Sequence, residues 1–138
     1  LLAIPFCHEP LVVFVHAEHP WAERDSLKIE ELEGQPVILR EPGSETRLAF
    51  ENALTQAGVK ISPVMEIGSR EAVWLAVARG LGIGVVSEQE FVAHPDLRKL
   101  SLNDADVHTT AHVVCLRERR NSRMIHAFLE IVEKLRKI

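Results

Sequence analysis

Val37-Ile38-Leu39-Arg40-Glu41-Pro42-Gly43-Ser44-Glu45-Thr46-Arg47 joins a strand to a helix. The three apolar residues at its start suit a short buried strand, and Pro42-Gly43 breaks the pattern. Ser44 is a good N-cap, because its hydroxyl can accept a bond from a first-turn amide. Beyond it Phe50, Ala53, Leu54 and Ala57 recur at helical spacing, and Gly58 stands where a left-handed residue ends the helix. The same order returns once. Val64–Ile67 reads as a strand, Gly68-Ser69 opens a helix with Ala72, Val73, Ala76 and Val77 as its apolar stripe, and Gly80 closes it.

Working outward, Leu11-Val12-Val13-Phe14-Val15 is continuous in apolar residues, as expected of a strand covered on both faces. Residues 16–26 are turn-like, and Leu27–Leu32 suits a short helix closed by Gly34 and Pro36. Ile83–Val86, Leu97–Leu102 and His108–Leu116 read as further strands, with a short helical piece over Ser87–Val92. The last helix, capped by Asn121 or Ser122, carries Met124, Phe128, Ile131, Leu135 and Ile138 in one stripe, widened by Ile125, Leu129 and Val132. Glu130 with Lys134 and Glu133 with Lys137 have the spacing of helical ion pairs. Alternation of strand and helix implies an α/β layer architecture with a mixed, mostly parallel sheet flanked by helices. The penultimate strand is the candidate to run antiparallel.

Composition narrows the function classes. With 138 residues, 46% of them hydrophobic and 26% charged, the chain suits one soluble domain with a real core. Its longest apolar runs fall far below the ~20 residues of a membrane-spanning helix. The net charge of −4 opposes binding to a nucleic acid backbone. The cluster Arg117, Arg119, Arg120 and Arg123 reads as a solvated turn diluted by Glu118. Cys7 and Cys115 are expected to be reduced, mostly buried thiols in a cytoplasmic protein. The chain opens on apolar residues rather than Met, which reads as a piece of a longer protein.

Most motif-like features have plain explanations. Gly80-Leu81-Gly82-Ile83-Gly84 follows a helix and opens a strand, the reverse of a dinucleotide fingerprint, so it reads as a cap and a tight turn. Seven histidines fall in no dense metal-ligand pattern: His16 and His19 lie in a turn, and His108 and His112 are too far apart along a strand. No metal and no cofactor is expected. Neither Ser44 nor Ser69 stands in a nucleophile elbow, and no catalytic residue is assigned. The repeated strand–Gly-Ser–helix unit is different. It would place two helix N-termini, with their free amides and positive dipole ends, at the carboxyl edge of a sheet. Thr46 would add a hydroxyl there and Arg40, Arg47 and Arg70 charge, suiting a small anion; simple capping accounts for the same serines.

These residues also carry a family resemblance. Glu9 to Val15 followed by His19-Pro20-Trp21-Ala22, then Leu39 to Arg47, resembles the effector-binding part of LysR-type transcriptional regulators. Glu66-Ile67-Gly68-Ser69, Val77-Ala78-Arg79-Gly80-Leu81-Gly82-Ile83-Gly84 and Ala127-Phe128-Leu129 extend the resemblance in the family's order. It implies a fold like type 2 periplasmic binding proteins, in which two subdomains enclose an effector. Residues 1–8 would be a return strand from the first subdomain, 9–116 the second subdomain, and 117–138 a helix returning to the first. It also implies that Ser44, Glu45, Thr46, Gly68, Ser69 and Arg70 line half the effector cleft. DNA would be bound only through a winged helix-turn-helix domain outside this chain, and the regulator would be a homo-oligomer with no membrane contact.

Within the family, Ile67 to Val73 and Val114 to Arg120 look most like regulators associated with aminoethylphosphonate catabolism. The rival readings are a solute-binding protein of the same fold and a small α/β enzyme using Glu45 and Glu66 as an acid/base pair. The wide stripe of the last helix predicts self-association or domain exchange of the chain.

Overall fold

The computed structural model describes residues 1–138. Its strands are β1 (Leu2–His16), β2 (Ser26–Leu27), β3 (Pro36–Arg40), β4 (Ser62–Ile67), β5 (Gly84–Ser87), β6 (Leu97–Leu102) and β7 (His108–Cys115). The helices are α1 (Glu45–Ala57), α2 (Arg70–Ala78) and α3 (Arg123–Leu135). Single 3₁₀ turns occupy Ile29–Leu32, Glu88–Glu90 and Arg117–Arg119.

The expected doubly covered strand is the centre of the core. Every residue from Leu11 to Val15 is at most 2% exposed. Leu11, Val13 and Val15 pack on one side with Leu27, Leu32, Phe50, Leu54 and Leu100, while Val12 and Phe14 pack on the other with Val73, Val77 and Val86. In β3 the same alternation sends Val37 and Leu39 to the first cluster and Ile38 to the second. Two apolar faces thus follow from the period-two geometry of a strand with no polar residue in it.

β1 runs antiparallel to both β5 and β6, and β6 runs parallel to β2. β3 and β4 are parallel, and a parallel bridge joins Val37 to Ile83, the residue that leads into β5. Ile38 N–H donates to the Ile83 carbonyl at 2.8 Å and Ile83 N–H to the Pro36 carbonyl at 2.8 Å, which secures that bridge. β2 through β6 therefore share one direction opposite to β1, in a mixed five-stranded sheet and a parallel β3–β4 pair bridged to it. The penultimate strand, β6, does run antiparallel to β1, while keeping a parallel partner in β2. The parallel neighbours β3 and β4 are joined by a crossover helix, α1.

β1 is also longer than its apolar core. It continues back to Leu2 through Pro5 and Pro10, each of which forgoes one ladder donor, and β7 pairs with it. By internal contacts the chain divides into Pro10–Thr109 and a second unit made of Leu1–Glu9 with Thr110–Ile138. In the second unit α3 buries Val132 and half-buries Ile125 and Leu129. The stripe of Met124, Phe128, Ile131 and Leu135 is exposed instead. The helix ends at Leu135, short of Lys137. Lys137 N–H donates to the Phe6 carbonyl at 3.0 Å, while Glu133 reaches Arg136 at 3.6 Å in place of the expected Lys137.

Candidate effector site

β3 and β4 end side by side, with Leu39 opposite Glu66 and Arg40 opposite Ile67. Because both strands run the same way, the turns that follow them lie at one edge of the sheet. Gly43, at φ 95°, takes the left-handed conformation that lets the first turn close. Ser44 then caps α1, its Oγ accepting from Arg47 N–H at 3.3 Å, and Leu48 N–H donates to the Ser44 carbonyl at 3.0 Å. Ser69 caps α2 in the same way: its Oγ accepts from Ala72 N–H at 3.3 Å, and its carbonyl accepts from Val73 N–H at 3.1 Å. The Cβ position of Gly68 has open space around it. Two helix N-termini are thereby presented together, and the first-turn amides of Glu45, Thr46 and Arg70 have no intrahelical acceptor.

The charges at this edge are already paired. Arg40 donates to both oxygens of Glu41, at 2.9 and 3.0 Å. Arg47 donates through Nη1 to Glu66 at 2.6 Å and through Nε to Glu51 at 2.8 Å. Arg70 meets Glu90 at 2.7 Å and Glu71 at 3.8 Å. Each of these arginines has a carboxylate within 3 Å. The hydrogen bond from Arg40 holds the Glu41 carboxyl below its ordinary range, and its own backbone N–H adds to this. Bonds to Glu66 and then Glu51 raise Arg47 further above its usual value. The Glu71 carboxylate accepts from its own N–H and from the Ser69 hydroxyl at 3.1 Å, which together lower its pKa.

Arg70 and Glu71 also border an open depression of about 570 Å³ walled by Trp74, Leu75, Val92 and Ala93. Elsewhere, no three His, Cys, Asp or Glu side chains come together as metal ligands. His16 and His19 each use Nδ1 to accept a backbone N–H, from Glu18 and Trp21 at 3.0 Å. Both cysteines are free thiols, Cys7 buried and Cys115 half-buried; burial is the first cause pushing the Cys7 thiol pKa up.

The LysR substrate binding domain model matches residues 1–136. The chain belongs to that family. The RuBisCO operon transcriptional regulator of Acidithiobacillus ferrooxidans is 42% identical over 104 residues, covering 75% of this chain and 34% of that protein. An uncharacterized HTH-type transcriptional regulator of Methanocaldococcus jannaschii is 36% identical over 131 residues, 91% of this chain and 44% of the relative. The chain thus spans less than half the length of these relatives.

Among solved structures, the Synechocystis CcmR regulatory domain in complex with 2-PG superposes with a TM-score of 0.83 at 31% identity. It covers 99% of this chain and 67% of that one. The effector-binding domain of QuiR in complex with shikimate has the same fold, with a TM-score of 0.83 at 20% identity over 96% of this chain and 64% of that one. This LysR substrate-binding domain therefore has the periplasmic-binding-protein-like fold expected.

Of the residues singled out in the sequence, Ser44, Glu45 and Thr46 form the start of α1, and Gly68, Ser69 and Arg70 the start of α2. Glu45, Gly68 and Arg70 are exposed, and Ser44, Thr46 and Ser69 half-buried. The Arg47 network was not foreseen. Its i, i+4 relation to Glu51 is visible in the sequence, but Glu66 lies 19 residues away and only strand pairing brings it near.

Proposed function

We propose that this LysR substrate-binding domain senses a small anionic effector at the adjoining N-termini of α1 and α2. The observation that carries the reading is the side-by-side ending of parallel strands β3 and β4 in two serine-capped helices. Ser44, Glu45, Thr46, Gly68, Ser69 and Arg70 are the contact residues. Since the arginines are already paired, recognition rests on backbone amides and hydroxyls, which bind phosphate-like groups well at helix N-termini. A related domain binds 2-PG and one of the same fold binds shikimate, which supports small-molecule sensing. Phosphonates and other phosphate-like acids are the effector class, aminoethylphosphonate among them.

In a longer cytoplasmic regulator, binding shifts the population between domain arrangements and so reorients a DNA-binding region in a homo-oligomer. No bond is made or broken. The rival enzymatic reading weakens because Glu66, one of its two acid/base candidates, is held by Arg47 at 2.6 Å.

Thermal-shift screening against phosphonates, 2-PG, phosphate, sulfate and dicarboxylates tests this. A selective rise in melting temperature that Ser44→Ala and Ser69→Ala both abolish is expected. A rise that survives both substitutions places binding elsewhere and removes the reading.

A further inference from the structure

We infer that Arg47 is a positioning residue that fixes the spacing between the two helix N-termini, an inference that rests on the anion-site reading above. A cation in the first turn of a helix opposes the macrodipole, so capping gives no reason for an arginine there. Its side chain is nevertheless only 19% exposed and reaches three elements. Nη1 donates to the Arg40 carbonyl at the end of β3, at 2.8 Å, and to Glu66 near the end of β4, at 2.6 Å. Nε donates to Glu51 one turn along α1, at 2.8 Å. Its own N–H donates to the Ser44 hydroxyl at 3.3 Å. One planar fork thus ties the capping turn of α1 to the strand that delivers Ser69.

Backbone pairing of β3 and β4 ends at Arg40 and Ile67, before either capping serine. From the last paired residues, the Arg47–Glu66 bond ties the first turn of α1 to β4 through side chains. An anion that touches both N-termini needs their separation held to within a fraction of an ångström, whereas an anion on one N-terminus does not. Lysine would keep the charge at position 47 but not the planar fork that serves several acceptors at once.

The test is titration of this chain with inorganic phosphate, followed by amide resonances of Thr46 and Arg70 in two-dimensional NMR. In wild type both amides should move with one Kd. In Arg47→Gln and Arg47→Lys they should separate into two dissociation constants at least threefold apart. Glu66→Ala removes only the arm to β4, keeps the other two bonds, and should give the same separation if an Arg47 variant fails to fold. A purely structural arginine would change melting temperature without separating the two titrations. A single unchanged Kd in the variants overturns the inference, and so does equal weakening at both amides, in which the two N-termini still act together. No shift at either amide in wild type, by contrast, removes the anion site itself and the inference with it.

Discussion

Three glycines close together in the sequence have three different physical reasons. Gly80 adopts φ 74° and ends α2, the role its position after the helix suggested. A Cβ on Gly82 would stand 3.0 Å from the Pro36 carbonyl oxygen and from Ile38 Cγ1. A Cβ on Gly84 would lie 2.5 to 2.8 Å from Cε1 and Cε2 of Phe14. That ring has nowhere to go, being fully buried with Trp74 at 4.8 Å and Phe91 at 5.8 Å between centroids. Gly84→Ala should therefore cost about 1–3 kcal/mol by overpacking, read as a fall in the urea midpoint. Phe14→Leu in the same chain should recover part of that loss. An alanine variant as stable as wild type would show that the ring has room after all. The sequence reveals Gly80 through its place after a helix, but nothing local reveals Gly82 and Gly84, whose neighbours are brought by strands far along the chain.

Elements were legible where one periodicity dominated. α1 and α2 start at the serines and stop near the glycines that the pattern marked, because capping chemistry is local. α3 shows the limit: its stripe was recognised, but the residues it buries are those beside the stripe, since burial depends on what surrounds the helix. The short segment Leu27–Leu32 proved to be a strand residue and a 3₁₀ turn held by a side chain the pattern did not point to. Glu31 accepts from Lys28 N–H at 2.8 Å and from both terminal nitrogens of Arg24 at 2.7 Å. The Arg24 bonds come first among the causes that lower its pKa from 4.5 to about 2. A carboxyl depressed on folding stabilises the native state above its unfolded pKa and loses that contribution as pH falls. Glu31→Gln should thus melt below wild type at pH 6, with the gap narrowing from pH 4.5 towards 2, as circular dichroism melts would show. A gap unchanged at pH 3 would rule out titration of this group as its source.

At the scale of the whole chain, the sequence conveyed the alternation of strand and helix but not that β1 runs against both β5 and β6. Order along the chain tells which strands are linked by helices, and β1 owes its partners in β5 and β6 to segments seventy or more residues away. The exposed stripe on α3 has a consequence in solution. Met124 is 83% exposed, and Phe128, Ile131 and Leu135 each more than half. A continuous apolar surface of this kind drives association. Sedimentation at tens of micromolar is expected to show dimers or larger species, with Phe128→Glu and Ile131→Lys shifting them to monomer. A wild-type chain that sediments as a monomer would contradict this. The five residues from Leu11 to Val15 raise a different matter. Sliding that strand by one position would exchange its two faces, yet every residue would still be greasy, so hydrophobic patterning hardly penalises the error. Alignment has to be enforced elsewhere, and the pairing of Phe14 with Gly84 supplies a notch that accepts the ring at one setting only. Shifted either way, the ring would face the side chain of Ile83 or Val85, and the close approach that only a glycine permits would be lost.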